Sequence, residues 1–145
     1  MQTIQFKSDV TVIKTQDLSP IPVGEGSATA VIDIKPGDEL VKYIQSQTQG
    51  NLRFSVTLGS LTAVHFKIFS YTAGVSNETS FVQTVSSFSG SVETISPVDR
   101  KVTANGDYDY YFTISANDGI KVIVWGDGTN TGSSLTNIHI ALRTN

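Results

Sequence analysis

Strict alternation of apolar and polar residues is the feature that most constrains the fold of this chain. In the segment NLRFSVTL, residues 51–58, every second side chain is apolar and the residues between are polar or charged. Successive side chains of a strand point to opposite faces, so this pattern predicts a strand with one buried face. The same period recurs in several later segments. The residues that share its apolar phase are the predicted main core: Leu52, Phe54, Val56, Val64, Phe66, Ile68, Tyr110, Phe112, Ile114, Val122, Val124, Ile138 and Ile140.

Turn-forming residues separate the alternating segments. Asn105-Gly106 precedes one strand, Asn117-Asp118-Gly119 joins two others, and Gly59-Ser60 separates a further pair. Asn and Gly tolerate the positive φ that tight turns require. With strand-like segments in the N-terminal part, the chain has about eight to ten short strands, as expected of an antiparallel β-sandwich of jelly-roll type. We therefore expect a single all-β domain over residues 1–145, with residues 1–15 as an extended arm or an edge strand.

The segment ELVKYIQSQ, residues 39–47, fits two local structures. Leu40, Val41 and Ile44 fit one helical turn, whereas Tyr43 and the β-branched residues fit a strand. The sequence alone leaves both alternatives open.

Composition excludes several classes of function. A chain of 145 residues buries enough surface to fold without a disulfide or a metal, and it contains no cysteine for a zinc-thiolate site or a thiol nucleophile. The net charge is −3 and the basic residues are scattered, so we expect no nucleic-acid partner. The N-terminal segment MQTIQFKSDV lacks the features of a signal peptide, and no apolar run approaches a membrane span, so we expect no membrane partner.

The glycine-rich segment WGDGTNTGSS, residues 125–134, could hold a phosphate, hold a metal or only turn the chain. A phosphate loop of the Walker type needs a lysine after its last glycine, where this chain has Ser133, and then a helix, where the pattern predicts a strand. Calcium needs a dense set of oxygen ligands, and the loop offers only Asp127, Asn130 and carbonyls. Asp107 could assist only if a hairpin returned it to the same end. We expect a turn, with no metal and no cofactor.

No constellation of catalytic residues emerges from the pattern. His65 and His139 lie on strand faces opposite the predicted core, with no acid two residues away to form a triad or zinc site. No serine stands in a Gly-x-Ser-x-Gly elbow. Glu39, Glu78 and Glu93 lie in separate segments, so no carboxylate pair for glycoside hydrolysis can be named. We predict a protein that is not an enzyme.

Several large apolar residues alternate away from the predicted core, onto faces that are normally polar. Loops could cover them, or they could form an interface with copies of the chain or with another protein. In a third alternative, the rings of Trp125, Tyr71 and Tyr111 form a stacking platform for sugars. The predicted interface combines the outward residues with two from the strand-like N-terminal segment: Phe69, Tyr71, Tyr111, Ile123, Trp125, Ile4 and Phe6.

The second half of the chain resembles small bacteriophage virion proteins of the β-sandwich type. The similarity covers about residues 50–142 and runs through LTAVHFKIFSYTAG, NETSFVQTV, DYDYYFTISANDGIKVIVWG and TGSSLTNIHIAL. In such proteins a Tyr-rich strand, an Asp-Gly turn and a Gly/Thr loop ending in TGSSLT lead to the last strand; residues 131–136 match that loop. At TAGVSNETS the chain lacks the Asn-Asp-Gly-Asn-Trp-type turn often found in related sequences, so the contacts of this loop tip are in question.

The resemblance implies a structural role in a virus particle. Proteins of this kind decorate or cement capsids, or lie at the head–tail junction or on the tail. The expected partners are the major capsid protein or other virion proteins, and the expected location is the virion, assembled in the bacterial cytoplasm. We also expect a homo-oligomer, with a trimer favoured. A carbohydrate-binding β-sandwich module is the alternative from another class.

Overall fold

The protein is built from antiparallel sheets. The computed structural model describes residues 3–7, 10–43, 47–72, 79–81, 84–89, 92–97, 100–113 and 117–143, with side chains described at 11–43, 47–71, 100–112 and 119–143. The strands are β1 (Thr3–Lys7), β2 (Val10–Lys14), β3 (Thr29–Ile34), β4 (Gln49–Thr57), β5 (Leu61–Thr72), β6 (Thr79–Phe81), β7 (Thr84–Ser89), β8 (Val92–Pro97), β9 (Arg100–Val102), β10 (Gly106–Thr113), β11 (Asn117–Gly128) and β12 (Ser134–Arg143).

Two main sheets carry most of these strands. Sheet A has the order β1-β2-β12-β4-β10, and sheet B has the order β3-β11-β5-β6, with β9 also paired to β5. The strands β7 and β8 pair with each other. Consecutive strands such as β2 and β3, β4 and β5, and β11 and β12 fall in different sheets, so the chain crosses repeatedly between them. This jelly-roll-like order confirms the all-β sandwich that the sequence predicts.

The predicted core lies between sheets A and B. The ring of Phe54 on β4 meets the ring of Phe66 on β5 edge to face, with centroids 5.2 Å apart, and Phe66 meets Tyr110 on β10 at 4.6 Å. Every predicted core residue with a described side chain is buried except Tyr110, which is partly buried and packs against the core. Ile114 lies outside the described residues. The predicted phase of these strands is therefore confirmed.

Two local features settle alternatives that the sequence left open. In the segment ELVKYIQSQ, residues Glu39–Tyr43 form a short 3₁₀ helix that buries Val41, with the Leu40 amide donating to Asp38 Oδ1 at 2.9 Å. Asn117-Asp118-Gly119, predicted to be a turn that joins two strands, instead begins strand β11. The two strands do not form a hairpin, because β10 belongs to sheet A and β11 to sheet B. No helix in the described parts of the chain has the length and apolarity to cross a membrane.

The strand β1 forms one edge of sheet A. It pairs with β2 from Thr3 opposite Lys14 to Lys7 opposite Val10, so the N-terminal segment takes the edge-strand alternative. This register sets Ile4 opposite Ile13 and Phe6 opposite Thr11. The side chains of Ile4 and Phe6 lie outside the described ones, and their place in an interface stays a prediction.

Candidate functional site

The outer face of sheet B carries Trp125, the first residue of the predicted interface to consider. The indole is only 4% exposed, so the expectation that it contacts a partner is wrong. His65, its cross-strand partner on β5, stacks on the indole with centroids 5.0 Å apart and 2° between the planes. The Lys67 ammonium lies 5.5 Å from the centroid of the indole ring, within cation–π range. The side chains of His65 and Lys67 therefore cover the Trp125 ring, which the alternation of the sequence assigns to the outer face.

A connecting segment completes this cover. The Gly126 amide donates to the Pro22 carbonyl at 2.8 Å, and the Gly24 amide donates to the Gly126 carbonyl at 3.0 Å. Glu25, in the 3₁₀ helix Glu25–Ser27, places Oε2 2.9 Å from the Lys67 ammonium. The segment between β2 and β3 thus runs along the end of β11 and holds Lys67 over the indole. Of the alternatives for this surface, loop cover is the one observed at Trp125.

Tyr71 is also covered, contrary to its predicted place in the interface. It is 4% exposed, and its hydroxyl donates to Asp33 Oδ1 at 2.7 Å. Burial, followed by the bond to the Asp33 carboxylate, raises the pKa of Tyr71 far above its usual value. Phe69 and Ile123 on the same face are partly buried. The proposed platform of Trp125, Tyr71 and Tyr111 cannot form, because two of its three rings are inaccessible.

A His–Asp pair lies beside the covered indole. His65 Nε2 is 2.6 Å from Asp127 Oδ2, although 62 positions separate the two residues in the chain. Sequence reasoning missed this pair because it looked for an acid near His65 along the chain, whereas the acid comes from the paired strand β11. Within the described ranges, no group of three or more His, Asp and Glu side chains is arranged to hold a metal ion. The pair joins β5 to β11 at the end of sheet B.

The glycine-rich segment 125–134 ends β11 and begins β12, and residues 129–133 form the predicted turn, which here connects the two sheets. Its end is fixed by Ser133, whose buried hydroxyl donates to the Asn130 carbonyl at 2.7 Å and accepts from the Ile21 amide at 2.9 Å. The Asn130 side-chain amide donates back to the Ile21 carbonyl at 2.9 Å. Gly128 and Gly132 have φ of 99° and 73°, which explains why glycine occupies both positions. The loop therefore fastens the segment before β3 to the sandwich.

The two acids considered for a calcium site are engaged separately. Asp107, on β10 of sheet A, accepts a hydrogen bond from the Ser55 hydroxyl at 2.6 Å. Asp127, on β11 of sheet B, faces His65. The hairpin that would have brought them to one end does not form, so the structure does not unite these carboxylates.

The outer face of sheet A differs from that of sheet B, because it presents a ring that is largely exposed to solvent. Tyr111 on the edge strand β10 is 71% exposed, and no other aromatic ring among the described side chains is classed as exposed. Tyr111 lies opposite Asn51 on β4, which lies opposite Ala141 on β12. Among the predicted interface residues with described side chains, Tyr111 is the most exposed.

Polar groups and hollows surround this ring. A hollow of about 270 Å³ on one side is lined by residues that include Asn51 and Arg143, and one of about 260 Å³ is lined by Tyr111, Phe112 and their neighbours on β4. The Arg143 guanidinium donates to the Gln49 side-chain oxygen at 3.1 Å. Asn51 Oδ1 is buried and has no hydrogen-bond partner among the described residues. The surface therefore combines one flat apolar ring with amide and guanidinium groups, which is an arrangement suited to a polar ligand.

A second, larger groove lies further along the same face. It has a volume of about 400 Å³. Its lining includes Asp109 on β10, Arg53 on β4 and His139 on β12, which lie side by side across these three adjacent strands. Arg53 Nε lies 3.2 Å from Asp109 Oδ2. The His139 ring nitrogen Nδ1 is 2.9 Å from the Asn137 carbonyl. His139 is thus half-buried on the outward face, as its alternation predicts.

Comparison with known proteins gives only distant likenesses. No family model and no curated protein matches the sequence. Among solved structures, the chain is similar to the "Glycosylation Associate Protein (Gap123) complex" from Streptococcus agalactiae, with 9% identity and a TM-score of 0.44 over 97% of this chain and 38% of that one. It is also similar to the VP2 subviral particle of infectious bursal disease virus, with 8% identity and a TM-score of 0.31 over 94% and 37% of the two chains. The chain spans under two fifths of either, and these likenesses carry no argument about function.

Proposed function

We propose that this protein is a non-enzymatic structural component of a bacteriophage virion, most simply a capsid decoration or cement protein. Two features support the proposal. About residues 50–142 resemble small phage virion proteins in sequence pattern, and the strand order is that of the double-sheet jelly rolls found in viral capsid and lectin domains. Because a fold alone does not specify a function, the proposal depends on a surface through which the protein would attach.

The open edge of β1 is the observation that carries the proposal. Among the described strands, β1 pairs with β2 on one side only and ends sheet A. The backbone N–H and C=O groups along its other side are a template for a strand from a neighbouring subunit. Strand addition obtains its affinity from main-chain hydrogen bonds and makes little demand on side chains. The N-terminal segment that includes Ile4 and Phe6 is therefore the proposed attachment point.

A cement protein also needs to crowd on a shell and to bridge its subunits. The net charge of −3 limits repulsion between copies that lie side by side. If each copy contacts two or more subunits of the major capsid protein, weak contacts add up through the lattice. Phe69 and Ile123, which are partly buried on the outer face of sheet B, remain candidates for contacts between copies of a homo-oligomer, with a trimer favoured.

The test mixes the purified protein with virus particles assembled without it, and measures occupancy and the resistance of the particles to heat. Ile4→Pro and Gln5→Pro form a matched pair, because successive residues of an antiparallel strand direct their N–H groups to opposite sides. One variant removes a bond to β2, and the other removes a donor from the open edge. We expect the variant that removes the open-edge donor to lose occupancy with little change in melting temperature. Lys101→Ala, which changes an exposed side chain on β9, should bind as wild type.

Two outcomes would count against the proposal at different levels. Wild-type protein that neither occupies nor stabilises any such particle would remove the cement function. Loss of occupancy only in the proline variant that also loses stability would leave that function in place, and would exclude the β1 edge as its contact.

A further inference from the structure

We infer that the outer face of sheet A around Tyr111 is a carbohydrate-binding site, with the tyrosine ring as the stacking surface for a sugar. This inference is independent of the proposed virion role, because it concerns the face of the sheet and not the β1 edge. The observations that carry it are the exposure of one ring, the polar groups beside it and the two hollows that flank it.

Tyr111 faces away from the core of the sandwich. The ring is 71% exposed, while its neighbours Tyr110 and Phe112 on the same strand turn toward the core. The face of an aromatic ring carries partial negative charge, and the C–H groups on one side of a sugar ring carry partial positive charge. A sugar therefore stacks on such a ring while its hydroxyl groups point sideways to hydrogen-bonding partners. Tyr111 is the described ring that is placed for this contact.

The required hydrogen-bonding partners lie beside the ring. Asn51 is directly opposite Tyr111 on β4, at the roughly 4.8 Å spacing of neighbouring strands. Gln49 and Arg143, opposite each other one row further on, line the same hollow. An amide and a guanidinium both donate to hydroxyl oxygens, and amide oxygens accept from hydroxyl groups. Together these side chains match the alternating donors and acceptors of a sugar rim.

The amide of Asn51 gives an independent indication of a ligand. Its Oδ1 is buried and has no hydrogen-bond partner within the described part of the chain, which is a costly state for an acceptor. The neighbouring Arg143 side chain is exposed and donates a hydrogen bond to Gln49. A ligand that displaces Arg143 outward can bring a hydroxyl donor to Asn51 Oδ1. Binding would then satisfy a group that the free protein leaves unsatisfied.

The shape of the surface indicates the size of the ligand. The hollows of about 270 Å³ and 260 Å³ share Gln49, Gly50 and Tyr111 among their lining residues, so they meet at the ring. Both are smaller than the roughly 300 Å³ at which pockets begin to enclose a drug-sized ligand. The site thus fits a short linear oligosaccharide laid across the open face and over Tyr111. Scattered basic residues, and the pairing of Arg53 with Asp109, do not favour a nucleic acid.

The experiment screens the full chain on a printed array of plant, bacterial and animal glycans, and then titrates cellotetraose, maltotetraose and chitotetraose by calorimetry. We expect Tyr111→Ala to weaken binding about tenfold or more, which corresponds to about 1.4 kcal/mol of lost ring contact. Tyr111→Phe retains the stacking surface and should bind within about threefold of wild type. Asn51→Ala should weaken binding with the ring intact, and Lys101→Ala should have no effect. Because Tyr111 is exposed, its variants should melt at the wild-type temperature.

Three results would overturn the inference. One is the absence of binding to any glycan on the array and to all three tetrasaccharides. Another is binding that Tyr111→Ala leaves unchanged, since the sugar would then lie elsewhere. The third is loss of particle occupancy in Tyr111→Ala without any sugar binding, which would make this face a protein interface. The β1 proline variants test the virion proposal separately, so the two proposals can fail independently.

Discussion

The imidazole of His65 lies parallel to the indole of Trp125, with 5.0 Å between ring centroids and 2° between ring planes. The two residues are cross-strand partners on β5 and β11. Asp127 Oδ2 lies 2.6 Å from Nε2 of the imidazole, and the Lys67 ammonium lies 5.5 Å from the centroid of the indole ring. Trp125 alternates away from the core, yet through these contacts it stabilises sheet B.

Truncation of Trp125 should therefore affect folding. We expect Trp125→Ala to lower the free energy of unfolding by about 3–5 kcal/mol, as for other buried aromatic residues. Trp125→Phe, which keeps a ring under His65, should cost less. Denaturant titration followed by circular dichroism measures both, since the substitution removes the one tryptophan of the chain. An alanine variant as stable as wild type would show that the indole is a surface group.

Gly50 and Phe112 should be energetically coupled. They lie opposite each other on β4 and β10, and a methyl group added at Gly50 would overlap the Phe112 ring. We expect Gly50→Ala to cost about 1–3 kcal/mol through overpacking and Phe112→Ala about 3–5 kcal/mol through a cavity. In the double variant the new methyl group no longer meets a ring, so the total should be smaller than the sum. A double-mutant cycle with additive costs would contradict this packing.

Stability should decline at alkaline pH. Burial and the hydrogen bond to Asp33 raise the pKa of Tyr71, and burial raises that of Tyr110. Both tyrosines ionise more readily in the unfolded chain, near pH 10, so their stabilising effect is complete below about pH 10 and is lost as the pH rises above it. Tyr71→Phe should flatten this decline and cost about 1.5–3 kcal/mol at neutral pH, because the bond to a carboxylate is lost. Denaturant titrations between about pH 8 and pH 11 give the slope for each protein. An equal slope in both would contradict the role of Tyr71.

Ser133 should contribute to stability more than most loop residues do. Ser133→Ala leaves the Ile21 amide without its 2.9 Å acceptor in a buried place, so we expect a loss of about 1–3 kcal/mol. The neighbouring variant Ser134→Ala is the control, since that residue is only half-buried at the start of β12. Thermal unfolding of the two variants compares them directly. Equal melting temperatures would show that the Ser133 hydroxyl is replaceable.

Divalent cations should not affect the glycine-rich turn. Asp127 is committed to His65, and Asp107 to Ser55 on the other sheet. We expect the same melting temperature in calcium and in EDTA. A ligand at a hundred times its dissociation constant would add about 2.7 kcal/mol, which is readily measured. A marked rise with calcium would therefore reverse the interpretation of this loop as a turn.

The strand phase could be predicted from the sequence because it is a local property. Once Leu52 and Phe54 are placed inward, the two-residue period of the strand places Asn51 and Arg53 outward without further information. The burial of Leu52 and Phe54, and the exposure of Tyr111, follow from this rule. Fold class was accessible for the same reason, since turn residues recur at intervals typical of a sandwich.

The cover of the outer faces could not be predicted in this way. Alternation gives the face on which Trp125 or Tyr71 lies, and it does not show that Glu25 or Asp33 arrives from a distant segment to cover that face. The pairing of His65 with Asp127 has the same origin. Residue types likewise predict a turn at Asn117-Asp118-Gly119, whereas these residues begin β11. The choice between a hairpin and a crossing to the other sheet depends on the whole packing arrangement.

The strand order also affects how the protein folds during its synthesis. In sheet A, β12 lies between β2 and β4, and in sheet B, β11 lies between β3 and β5. Both of these central strands follow, in the sequence, the strands with which they pair. The pairings at the centre of each sheet therefore cannot form until β11 and β12 have been synthesised. Closing such long loops costs entropy before any contact is gained, and all-β domains with distant pairings fold in about milliseconds to seconds. A nascent chain on the ribosome would therefore hold its early strands unpaired along their inner edges until β11 and β12 emerge. The fold thus makes synthesis a period of exposure to aggregation, and chaperones that shield open strand edges should matter most then.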